Sequence, residues 1–220
     1  MDEAGIDFML PIARWIGYGG ETDFHGGVLE TMTWAAGLLA ATKNIAVFAT
    51  IHTAANHPVV VAKQIATLDQ QSGGRVTLGV GVGGREHDYR SLGAPFTRRH
   101  ARLDEQVAEL RRLWGGEPPF EGADPIGPSP LQPGGPPILA GALGPKAMAR
   151  AARWADGVTG FSVAGAVGEM ANTFRLADQA WTDAGRAEAP RKVNGCFYLL
   201  GPEDEAARAE LRVFAARYLG

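Results

Sequence analysis

The chain has 220 residues, 45% of them hydrophobic and 20% charged, and its 30 glycines and 14 prolines follow no repeat period. This composition excludes disordered and fibrous classes and describes a globular protein with a sizeable core. A net charge of −3, from Lys+Arg 21 against Asp+Glu 24, argues against a nucleic-acid partner. No apolar run approaches the roughly 18–20 residues of a membrane span. Met1-Asp2-Glu3 is acidic where a secretory signal is basic, so the expected address is cytoplasmic. The single cysteine, Cys196, excludes an internal disulfide and a multi-cysteine metal site, and reads as a buried strand thiol.

Short apolar runs alternate with amphipathic stretches along the chain. Ile6–Ile12, Ile45–Ile51 and Arg75–Val82 have the length and aliphatic content of strands buried on both faces. Three similar runs follow at 137–143, 157–163 and 192–200. Between them, residues 28–42 read as a helix that is apolar nearly all round, with Leu29, Met32, Trp34, Leu38 and Leu39. Pro58 opens the next helix, where its missing N–H costs nothing, and Gly73-Gly74 ends it. Residues 98–114 carry one apolar stripe of Leu103, Val107, Leu110 and Trp114. Further stripes are Met148, Ala151, Ala152 and Ala155, then Val167, Met170, Ala171, Phe174 and Trp181; a last helix starts near Glu203. Strand–helix alternation repeated about six times predicts right-handed βαβ units and a parallel sheet, either doubly wound or a (β/α)8 barrel. Residues 116–136, rich in Pro and Gly, read as a surface insertion or an active-site lid on a single domain spanning 1–220.

Ligands of parallel α/β folds bind at the carboxyl ends of the strands, so candidate residues are sought there. Arg14, two aromatics and several glycines follow the first run and suit a ring or an anion. His52 ends the second run, placed to orient or protonate a substrate oxygen or simply to satisfy local hydrogen bonds; His57, before Pro58, reads as structural. Gly79, Gly81 and Gly84 match G-x-G-x-x-G in form, but two of them lie within the strand and a polar loop follows, so a dinucleotide site is not expected. Small residues there let a flat ring approach the backbone. Glu86, His87 and Asp88 have poor spacing for a metal, and none is expected. Ala140–Lys146 is a strand end, a glycine turn and a helix start, which suits a phosphate. Arg98-Arg99-His100 puts cations at a helix start, against the dipole; a nearby anion or plain solvation accounts for that.

Trp15–Thr22, Phe48–His52, His57-Pro58 through Asp69, and Ser72–Arg75 together resemble the bacterial luciferase-like monooxygenases, closest to the two-component group acting on alkanesulfonates, dimethyl sulfone and pyrimidines. The tract Gly83–Gly93 is more similar to the deazaflavin-dependent oxidoreductases of that superfamily. The resemblance covers essentially the whole chain and is most specific over 45–115. It implies a TIM (β/α)8 barrel, here incomplete, with the first and eighth strands outside the sequence. It also implies a flavin ring over the strand ends. Carried over by position, Ala13, Arg14, Thr50 and Thr53 line the ring pocket, and Asp88 lies near the flavin's polar tail. Arg99 and His100 flank the flavin, and Gly141, Ala142 and Leu143 cradle its phosphate through backbone N–H groups. His52 and His100 are the catalytic candidates. Gly195 and Phe197 stand where the alkanesulfonate enzymes carry a catalytic Arg and His, which points away from a sulfonate.

The expected function is a monooxygenase that uses reduced FMN from a separate flavin reductase, and O2, to oxygenate a small organic substrate, with organosulfur compounds among the candidates. Two alternatives stand beside it: hydride transfer with a deazaflavin coenzyme, and a non-catalytic flavin-binding or shortened barrel. A homodimer is expected from the apolar helix at 28–42.

Overall fold

The computed structural model describes residues 2–16, 28–162, 165–201 and 204–219; Gly17–Thr22 of the Trp15–Thr22 motif lie outside them. The chain forms two compact units. The first comprises Met1–Trp15, Leu29–Gly141 and Trp154–Asp156, and the second Ile16–Val28, Ala142–Arg153 and Gly157–Gly220.

In the first unit the order is β1 (Phe8–Met9), α1 (Thr31–Ala41), β2 (Ala46–His52), a 3-10 turn (Thr53–Ala55), α2 (Pro58–Ser72), β3 (Val76–Gly81), α3 (Glu86–Ser91), α4 (Arg99–Trp114) and β4 (Ile138–Gly141). The second unit holds α5 (Pro145–Ala151), β5 (Gly157–Ser162), α6 (Val167–Asp183), β6 (Arg191–Cys196) and α7 (Glu205–Leu219). The strands follow one another in chain order and the pairings within each unit are parallel. The class is therefore α/β with the strand order of an incomplete TIM (β/α)8 barrel. The short helix α3 was not expected: six residues without an apolar period carry no helix signal.

The core of the first unit lies between the helices and the outward face of β2 and β3. Val47, Ala49 and Ile51 alternate with Phe48 and Thr50 along β2, and their face packs on Val61, Ile65, Leu103, Val107 and Leu110. Each fully buried aliphatic side chain there contributes about 1.5–3 kcal/mol. On the other face, the Phe48 ring fills the space over Gly79. A Cβ at Gly79 would stand 2.7 Å from Phe48 Cε2 and 3.0 Å from Thr50 Cγ2.

Side chains close the ends of the elements. Glu30 caps α1, accepting from the Met32 and Thr33 N–H groups at 3.0 and 2.8 Å. Burial pushes its carboxyl up, but these bonds and the Thr33 hydroxyl together leave it below the usual range. Gly73, at φ 69°, ends α2 in the left-handed conformation as its sequence predicts. Arg75 joins the carboxyl ends of α1 and α2. Its guanidinium donates to Ser72 O at 2.9 Å, Ile45 O at 2.6 Å, Leu39 O at 2.8 Å and Thr42 O at 3.0 Å.

The Pro/Gly-rich stretch is tied down by side chains of α2. Buried Asp69 accepts from Gln132 N at 2.9 Å and Gln132 Nε2 at 2.7 Å, and Nε2 also donates to Val76 O at 2.9 Å. Gln70 Nε2 donates to Ser129 O at 2.7 Å. These anchors lie at the carboxyl end of α2 and the amino end of β3, the opposite end of that strand from Gly81.

In the second unit, β5 pairs with β6 from Gly157↔Arg191 to Ser162↔Cys196. Ala177 and Trp181 are the buried residues of α6. Cys196 is exposed, contrary to the buried thiol expected from sequence. It ends an outer strand that pairs only with β5 among the described residues, so one side of that strand stays open.

Candidate functional site

The site is built at the carboxyl ends of β1, β2 and β3. Thr50 and His52 lie on the same face of β2 as Phe48, and they pair in register with Gly79 and Gly81 of β3. Thr50 is committed to structure. Its hydroxyl donates to Pro11 O at 2.8 Å and accepts from Ala13 N at 2.9 Å, stitching the segment after β1 onto β2. Pro11 has no N–H to give, but its carbonyl also accepts from Thr50 N at 3.3 Å, so backbone and side chain of Thr50 hold this segment together. Ala13 is buried by this stitch and Arg14 is half-buried beside it.

Two residues further on, Trp15 N donates to Asp88 Oδ1 at 3.2 Å. Asp88, on α3, is fully buried, and its other oxygen, Oδ2, stands 3.9 Å from both His52 Nδ1 and Arg85 Nη1. Neither His52 Nδ1 nor Asp88 Oδ2 has a hydrogen-bond partner, although both atoms are buried. The resemblance implies a place for Asp88 near the flavin's polar tail; the structure adds that it stands beside His52 and joins the ends of β1 and β2 to the loop after β3. Nothing short of the register could have paired His52 with Asp88, 36 positions apart. The one local signal was an acidic residue three positions after Arg85, in a tract anchored by the apolar Tyr89 and Leu92.

The His52 ring lies against Gly83, which has φ 66°. A Cβ at Gly83 would stand 2.9 Å from His52 Cγ and Nδ1. Gly84 faces open space, a Cβ at Gly81 would meet only the backbone N of Gly83 at 3.9 Å, and one at Gly141 only Val80 O at 3.5 Å and Gly81 Cα at 3.9 Å. The strand ends around His52 are thus kept clear of side chains by glycine. Burial pushes the His52 pKa below its ordinary value; Asp88 pulls it up and Arg85 pushes it down again. At neutral pH the ring is an uncharged imidazole beside a buried carboxyl group.

Thr53 is fully buried with its hydroxyl unpartnered. Buried Tyr89 donates its hydroxyl to Val82 O and meets Phe96 edge-to-face at 5.2 Å. Arg99 stacks on Phe96 with its guanidinium carbon 3.8 Å from the ring centroid, and Nη1 donates to Phe96 O at 3.3 Å. His100 is exposed on the first turn of α4. Arg98, just before it, takes the left-handed conformation with φ 58°. Gly141 ends β4 in this unit. Ala142 and Leu143 belong to the second unit, where Ala142 N donates to Thr159 O at 3.3 Å and is already engaged.

Comparison with known proteins agrees with this architecture. Over 123 residues the chain is 38% identical to the pyrimidine monooxygenase RutA of Escherichia coli O7:K1 (strain IAI39 / ExPEC), covering 53% of this chain and 37% of that protein. The chain therefore spans well under half the length of this curated relative. Among solved structures it is similar to the monooxygenase RslO1 from Streptomyces bottropensis, with a TM-score of 0.78 at 23% identity, covering 98% of this chain and 67% of that one. It is also similar to the riboflavin lyase RcaE, solved with modified FMN and riboflavin, with a TM-score of 0.76 at 20% identity, covering 95% of this chain and 56% of that one. At such identities the structural likeness speaks for the fold alone. The sequence match to the Luciferase-like monooxygenase family, in contrast, runs from residue 1 to residue 219, and the chain belongs to that family.

Proposed function

We propose that the protein acts as a flavin-dependent monooxygenase, taking reduced FMN from a separate reductase and oxygenating a small organic substrate. The observation that carries this reading is the neutral His52, half sealed at strand ends that Gly81 and Gly141 keep free of side chains. A flat ring system needs such bare backbone to lie against. The similarity to a pyrimidine monooxygenase supports the same reaction class and favours a nitrogen heterocycle over an organosulfur compound as the first substrate to try.

The residues fit a flavin in part. Ala13 and Arg14 would border the ring, and Thr53, whose unpartnered hydroxyl is sealed inside the chain, is carried as a ring contact by resemblance alone. Thr50 would contribute only its methyl group and backbone, since its hydroxyl is already engaged. Arg99 and His100 would flank the ring. Ala142 and Leu143 are carried as phosphate contacts by resemblance alone. Bound reduced flavin would supply the two electrons by which one atom of O2 enters the substrate and the other leaves as water. The chain's own part is to hold the ring against β2 and β3, to keep water from it with Phe48 and Tyr89 behind, and to present the uncharged His52 imidazole to the ligand. A homodimer belongs to the same proposal, and sedimentation of the purified chain tests it.

Titration with FMN and with a deazaflavin, oxidised and anaerobically reduced, tests the reading. Tighter binding of reduced FMN than of either deazaflavin form is the expected result. Preference for deazaflavin would replace oxygenation with hydride transfer, and binding of neither would overturn the flavin reading.

A further inference from the structure

We infer that Asp88 is the positioning residue of His52, holding its imidazole with the proton on Nδ1 and leaving Nε2 as an acceptor for an O–H or N–H group of the ligand. The inference rests on the reading of His52 as the ligand-facing group, and among the roles the sequence left open it excludes the one in which His52 protonates a substrate oxygen.

Two orphaned atoms carry it. His52 Nδ1 and Asp88 Oδ2 are both buried, both lack a hydrogen-bond partner, and stand 3.9 Å apart. An unsatisfied buried polar atom carries the desolvation cost of its lost water, so one proton between these two relieves both at once. The approach needed is about 1 Å to reach the ordinary distance of about 2.8 Å for such a pair. Asp88 is well suited to hold the histidine because it is itself fixed. Its Oδ1 accepts from Trp15 N, its side chain is 1% exposed, and it lies in the first turn of α3. The ring is confined from its other side by Gly83. With Nδ1 sealed against the carboxylate, Nε2 is the ring nitrogen left to meet a ligand, and an imidazole with its proton on Nδ1 offers a lone pair there.

Arg85 competes for the same oxygen, with Nη1 also 3.9 Å from Oδ2. A bond from Arg85 alone would satisfy Asp88 but leave His52 Nδ1 orphaned, with no preference for either tautomer. The two arrangements are separable by experiment.

The test is a long-range 1H–15N correlation spectrum of the 15N-labelled, flavin-free chain, with His52 assigned through His52→Gln. In the unaltered chain above the His52 titration midpoint, Nδ1 is expected in the pyrrole-like range and Nε2 in the pyridine-like range. Asp88→Asn turns the facing oxygen into an NH2 donor while keeping an acceptor for Trp15 N. It is expected to reverse the two ranges and to move the midpoint to lower pH. Asp88→Glu is expected to restore the original pattern, and Arg85→Gln to leave it unchanged. A proton on Nε2 in the unaltered chain overturns the inference whether or not the variants fold; so does an unchanged pattern in folded Asp88→Asn. None of these readings requires flavin, so failure of flavin binding and failure of this assignment are told apart.

Discussion

At the scale of single residues, the site depends on what is absent as much as on what is present. Gly83 combines a positive φ with a ring stacked where its Cβ would be. Gly83→Ala is therefore expected to cost about 1–3 kcal/mol in denaturant unfolding and to displace His52. His52 also sets a pH dependence. Burial holds its folded pKa below the ordinary value near 6.5, so the unfolded chain takes up this proton first as pH falls. This contribution to stability is constant above about pH 6.5 and is lost as pH drops through that value toward the folded pKa. Urea midpoints measured from pH 8 to pH 5 should fall less steeply in His52→Gln than in the unaltered chain. The position of His52 was legible in sequence because strand ends are where such folds bind ligands. Its partner was not, because Asp88 reaches it only through the register of β2 on β3 and the turn into α3. The bonds of the Thr50 hydroxyl were not legible for a related reason: sequence shows a polar residue at a strand end but not the Pro11 carbonyl beside it.

At the scale of elements, the amphipathic helices were readable and their joints were not. The stripe of Leu103, Val107, Leu110 and Trp114 is buried as its spacing requires. Leu29 and Trp34, read as part of an all-round apolar helix, are exposed, with Leu29 standing just ahead of α1. β1 is shorter than its apolar run because Pro11 cannot donate to the ladder. Arg75 is the clearest of the joints. Its fork serves carbonyl groups of two helix ends and the segment between them, a geometry lysine cannot copy. Arg75→Lys should lower stability by about 2–3 kcal/mol, read as a shift in urea midpoint without change of slope. Asp69 acts likewise on the Pro/Gly-rich stretch. Asp69→Ala frees Gln132 from both carboxylate oxygens, and limited proteolysis is expected to cut between 127 and 134 several times faster than in the unaltered chain.

At the scale of the whole chain, alternation along the first strand run leaves an apolar row without cover. Ile6, Phe8, Leu10 and Ile12 are 37–53% exposed, and β1 pairs only with β2 among the described residues. An outer strand with such a row is a site for self-association. Replacing Ile6 and Leu10 together by lysine is expected to lower light scattering of the concentrated protein while leaving its helical circular dichroism intact. The α/β class was legible in the alternation of runs and stripes, which left a doubly wound sheet and a barrel both open; the barrel's strand order came from the family resemblance. The division into two units was not, because each βα repeat looks alike in sequence and no linker composition marks the boundary.

The Phe48 ring that fills the space over Gly79 ties the fates of two codons. A side chain at 79 is affordable only where 48 has become small, and a small residue at 48 leaves a hollow unless 79 grows into it. Either change alone should be selected against, while both together, such as Phe48→Ala with Gly79→Val, should recover part of the loss. Across descendants of this sequence the two positions are therefore expected to covary, bulk on one strand exchanged for bulk on its neighbour.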